Sequence, residues 1–132
     1  MMHDKKFWEA IDTLVSSGNI VIDRPKGSVH PRYQNIKYDV DYGYLENTSS
    51  MDGDGIDIWR GSLPDDTVTA IICTVDLMKK DSEIKILIGC TEEETNIVYE
   101  FHNMTDFMKG ILVRREYEQN STQPYKTTIG KE

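Results

Sequence analysis

Two runs, "TVTAIICTVDLM" (67–78) and "EIKILIGC" (83–90), are dominated by β-branched and aliphatic residues, and only "KKDS" separates them. Segments this apolar must be buried, and so short a polar link has room only to turn. They predict a β-hairpin with a polar tip. The rest of the chain must supply the surfaces that cover it.

The flanking segments supply such surfaces. Phe7, Trp8, Ile11, Leu14 and Val15 recur at helical spacing within residues 4–17, with Asp4 able to cap the start and Gly18 to end it. "NIVID" (19–23) reads as a short strand running into the charged loop "RPKGSVHPRY", and "YDVDYGYL" (38–45) alternates as a second strand. Ile56 and Ile58 then share one face of a strand whose other face carries Asp57 and Trp59. Thr91 and Glu94 form a capping-box pattern ahead of Ile97, Val98 and Phe101, which predicts a helix there. The acidic run 92–94 fits that helix N-terminus. "TDFMKGILVRREYE" (105–118) predicts a further helix, weakened by Gly110, and residues 119–132 form a polar tail expected to fray. No internal repeat or linker divides residues 1–132. One α+β domain is expected: a compact, mainly antiparallel sheet or barrel with helices at both ends.

Composition narrows the function. With 23 acidic against 15 basic residues, a net charge of −8 disfavours a nucleic-acid binder, which needs a basic face. No apolar run is long enough for a membrane span, and "MMHDKKFWEAID" has no continuous apolar core of the leader type. Cys73 and Cys90 lie in apolar runs and read as buried reduced thiols, so a cytoplasmic protein is expected.

The segment "SSMDGDGIDIW" (49–59) sets Asp52, Asp54 and Asp57 around two glycines. Taken alone, "DGDG" also fits a solvated turn. An EF-hand loop is excluded, because Asp57 and Leu63 stand where it needs Gly and Glu. Three oxygen donors able to converge suit Mg²⁺, with Mn²⁺ as an alternative, and bound metal would remove the repulsion among them. Arg24, Lys26 and Arg32 lie in the loop after the first strand, where fixed positive donors could meet a phosphoryl group. Tyr42 and Tyr44 precede the aspartates, and Asp76, Asp81, Glu83 and Lys85 gather around the hairpin tip. His30 and His102 read as a loop and a helix-surface histidine, Trp8 and Trp59 as core aromatics, and Lys79 and Lys80 as a solvated turn.

"VDYGYLENTSSMDGDGID" resembles the signature of family I soluble inorganic pyrophosphatases, in which N/D-Y-G-Y/F precedes D-G-D-x-x-D, and "IVIDRPKGSVHPRY" resembles that family's first active-site strand. The resemblance implies a small five-stranded antiparallel barrel of the OB type flanked by helices, a homo-oligomer, and Mg²⁺-dependent hydrolysis of inorganic diphosphate. It implies metal ligation by Asp52, Asp54 and Asp57, with Asp54 also deprotonating the attacking water and Asp57 bridging two ions. Asp23 takes the position of the family's strand glutamate, Arg32 of its phosphate-binding lysine, and Tyr42 of its active-site tyrosine. Asp76 and Asp81 keep the spacing of two further metal ligands and are the preferred pair, whereas alignment on Lys85 makes Glu83 the second ligand instead. Lys37 is the nearest substitute for an arginine this chain lacks. "EYE" (Tyr117, Glu118) and "PYK" (Tyr125, Lys126) are imperfect counterparts of a C-terminal Tyr-Lys pair. Hydrolysis of another phosphoanhydride, and metal or phosphate binding without catalysis, are the alternatives to diphosphate hydrolysis. Arg32 is expected to hold the substrate, with Lys26, Lys37 and Lys85 in support.

Overall fold

The computed structural model of the chain describes residues 2–50 and 53–116. Helix α1 (Met2–Ser16) leads into strands β1 (Ile20–Arg24), β2 (Asp41–Leu45) and β3 (Ile56–Arg60). The hairpin β4 (Val68–Asp76) and β5 (Asp81–Ile88) follows, then helix α2 (Glu92–Phe101) and strand β6 (Met108–Arg114). The six strands form one sheet in the order β1-β2-β3-β5-β4-β6. All neighbours are antiparallel except β3 and β5, which run parallel with Ile58 opposite Ile86.

This corrects the expected closed, antiparallel five-stranded barrel. The sheet is mixed and open, with β1 and β6 at its two edges. A barrel has one interior face, whereas this sheet buries both. On one side Trp8, Ile11 and Val15 of α1 pack on Ile58, Ile71, Ile86 and Ile88. On the other, Val98 of α2 packs with Trp59, Ala70, Ile72 and Leu87. Each large side chain so buried contributes about 1.5–3 kcal/mol, which favours a three-layer arrangement over closure.

The expected helix over 105–118 is also corrected, because residues 108–114 form β6. "MKGILVR" alternates, its β-branched Ile111 and Val113 favour an extended backbone, and β4 supplies a full antiparallel ladder. Gly110 lies in that ladder opposite Thr74. A Cβ there would stand 3.0 Å from the Ile72 Cδ1.

The hairpin forms as expected, closing with Asp76 opposite Asp81, and Ile56 and Ile58 do share a face. Helix α2 carries the complete capping box: Thr91 accepts from the Glu94 amide and Glu94 from the Thr91 amide. Trp8, Trp59 and Cys90 are buried, while Cys73 is half-buried. Among the described residues no helix is long and apolar enough to cross a membrane.

Candidate functional site

Helix α2 covers only part of its face of the sheet. Beyond it, toward the β4–β5 tip, the same face turns polar. The antiparallel register sets Tyr42 opposite Trp59 and Tyr44 opposite Asp57, and the parallel pairing brings β5 alongside β3. Three segments far apart in sequence thus meet. The Tyr42 hydroxyl donates to Asp57 Oδ2 at 2.6 Å, and the Lys85 ammonium donates to that same oxygen at 2.8 Å. Lys85 also donates to Glu83 Oε1 at 3.1 Å and lies 3.4 Å from the Tyr42 hydroxyl.

The electrostatics follow from this geometry. Lys85 is only 5% exposed. Burial opposes its charge, but Asp57 and Glu83 outweigh burial and raise its pKa. Burial, then the Asp57 carboxylate, holds Tyr42 well above the usual phenol value, so it stays a neutral donor. The cluster is an ammonium between two carboxylates with a neutral phenol alongside, so it keeps one net negative charge.

His102 corrects the expectation of a helix-surface histidine. It ends α2 with 3% exposure, and its Nε2 accepts from the Trp59 indole at 3.1 Å. Its Nδ1 faces Met108 Sδ at 3.4 Å. Burial, then the Lys85 charge, lowers its pKa to about 3, so the ring is neutral. Trp59 in turn stacks edge-on against Tyr42 with centroids 4.6 Å apart. One aromatic chain joins the histidine to the polar cluster.

The other expected site residues fall at varied distances from this cluster. Asp54 is exposed on the loop before β3, and Asp52 lies outside the described residues, as do Tyr117, Glu118, Tyr125 and Lys126. Asp76 is buried, and its Oδ1 accepts the Met78 and Lys79 amides at 3.0 Å each. Asp81 closes the same hairpin. Asp23 is exposed at an irregularity in β1. Lys26 is exposed, and its amide donates to Asp41 Oδ1. Arg32 is exposed near the tip of a small excursion closed by the Val29–Lys37 bridge. Lys37, also exposed, pairs loosely with Asp39 at 3.9 Å. Of the hairpin carboxylates, Glu83 joins the cluster through Lys85, while Asp76 caps the turn.

A divalent cation would find only carboxylate oxygens here, a donor set that suits a hard ion. Among the described residues, however, no three His, Cys, Asp or Glu side chains form a group that could hold one. Asp57 Oδ2 is already engaged by Lys85 and Tyr42. A site at this loop therefore depends on Asp52 as well as Asp54 and on the other oxygen of Asp57.

No protein-family profile matches the chain, and no curated protein matches it. Among solved structures, an inorganic phosphatase from Anaplasma phagocytophilum is similar at a TM-score of 0.49 and 14% identity, covering 72% of this chain and 81% of that chain. A likeness of that size carries no argument about activity.

Proposed function

We propose that the protein hydrolyses inorganic diphosphate with the help of Mg²⁺. The observation that carries this reading is the convergence of Tyr42, Asp57 and Lys85, from three separate segments, beside the loop that bears the "DGD" motif. The sequence resemblance assigns a site to these same segments. A divalent ion held by Asp52, Asp54 and Asp57 would neutralise phosphoryl charge and make bound water acidic. Asp54 would accept the proton of that water, Tyr42 would donate to a phosphoryl oxygen, and basic residues of the 24–37 segment would hold the anion. Exclusion of bulk water would fall to an aromatic floor of buried Tyr38 and Trp59 with half-buried Tyr42.

A second reading rests on one observation: Lys85 already pairs with both Asp57 and Glu83. A protein that binds phosphate at this face without hydrolysing a bond has the same cluster. The deciding experiment is phosphate release from diphosphate by purified protein, with Mg²⁺ and then with excess chelator, for natural and Asp54→Asn protein. Metal-dependent release that falls by about two to four orders of magnitude in the variant, the usual range for loss of a general base, supports hydrolysis. Absence of release by the natural protein, or near-normal release by the variant, rejects the mechanism.

A further inference from the structure

β1 changes faces at its end. Ile22 pairs with Gly43 and Arg24 with Tyr42, so two positions of β1 oppose adjacent positions of β2, with Asp23 as the extra residue. In a regular strand Ile22 and Arg24 would share a face. The bulge instead leaves Ile22 in the core against α1 and turns Arg24 to the face of Tyr42. Such bulges re-aim a side chain, and they gather beside functional sites. Gly43 permits this one. A Cβ there would lie 1.8 Å from the Val21 carbonyl oxygen.

The re-aimed guanidinium is unusual in its partners. It is half-buried, one Nη1 is tied to the Tyr38 hydroxyl, and its carbon stands 5.5 Å from the centroid of that ring. Tyr38 is itself 2% exposed and stacked against Tyr42 and Trp59, so the anchor is fixed. Among the described residues Arg24 makes no ion pair, and its Nε and Nη2 meet no acceptor. The competing cations differ. Lys85 is held by two carboxylates, Lys37 by Asp39, and Arg32 is exposed beyond the bridge. Burial, then the charges of Arg24 and Arg32, lowers the pKa of His30, which places both arginines near that ring.

We propose that Arg24, aimed by the β1 bulge and anchored on Tyr38, is the principal phosphate-holding side chain of the site, ahead of Arg32. The ligand class is a phosphoryl anion, diphosphate first, met by the unused edge of the guanidinium, whose paired N–H groups match two phosphoryl oxygens. This deepens the reading of the site as one for diphosphate and rests on it.

The test is calorimetric titration of diphosphate, with Mg²⁺ present, into Asp54→Asn protein, where turnover is blocked, and into the same protein carrying Arg24→Gln or Arg32→Gln, beside the hydrolysis assay on the two arginine variants alone. Arg24→Gln is expected to weaken binding by about ten- to a hundredfold, the scale of a lost charge-assisted contact, and Arg32→Gln by no more than about threefold. Equal losses, a larger loss from Arg32→Gln, or unchanged binding by Arg24→Gln would overturn the proposal. Should Arg24→Gln melt too low to assay, Tyr38→Phe reads the same feature. Loss of its hydroxyl frees the guanidinium, and binding should weaken by a smaller but measurable factor; unchanged binding again overturns it. Binding without hydrolysis would remove the proposed reaction while leaving the comparison of the two arginines decisive. No binding of diphosphate at all would remove both.

Discussion

Lys85 occupies the position between Asp57 and Glu83 where a cation would otherwise be needed. Removing it leaves two partly exposed carboxylates facing each other, which costs up to about 3 kcal/mol, the low end for breaking a buried pair. Lys85→Met should therefore melt well below the natural protein in chelator. Mn²⁺ should then raise its melting temperature more than it raises that of the natural protein, because the ion would replace the missing charge. An equal or smaller rise would mean that Lys85 and the ion do not compete. The types of residue in this cluster were legible in the sequence; their partners were not. Asp57 stood out through its motif and Lys85 through its hairpin, but their contact depends on a parallel pairing of β3 with β5 that no local pattern announces. Arg24 was visible only as one of several basic residues, because alternation assigns it to the wrong face unless the bulge is known.

At the scale of elements, the β4–β5 turn gives the Asp76–Asp81 spacing a structural origin of its own. Asp76 and Asp81 stand five apart because they are the last opposed pair of a hairpin, and the Asp76 carboxylate accepts two amides of the turn. Asp76→Asn keeps an acceptor and should leave the urea midpoint nearly unchanged. Asp76→Ala strands both amides and should cost about 1 kcal/mol. The response to Mn²⁺ should be the same in both variants as in the natural protein. A lost response in Asp76→Asn would make Asp76 a metal ligand after all. The hairpin, both apolar faces and the capped α2 could be read from periodicity, since each is a local pattern repeated several times. β6 could not, because "MKGILVR" satisfies helical and strand spacing alike and only the β4 edge decides between them.

Over the whole molecule, His102 couples acidity to stability. Its pKa is about 3 in the fold against an ordinary value of 6.5, chiefly through burial and then through the Lys85 charge. A lowered histidine pKa means that the unfolded chain binds the extra proton first. The contribution is intact above pH 6.5 and is lost as pH falls toward 3, at up to about 1.4 kcal/mol per pH unit. Urea midpoints between pH 7 and pH 4 should fall more steeply for the natural protein than for His102→Gln, which keeps an acceptor for Trp59. Parallel slopes would show that other groups set the acid limit. The same indole has an optical consequence. Trp59 is fully buried, bonded to His102 and in edge contact with Tyr42, whereas Trp8 lies across the sheet under Arg115. The protein's two tryptophans thus lie on opposite faces of one sheet. Only Trp59 touches the polar cluster, so its emission is a label-free gauge of what occupies that face.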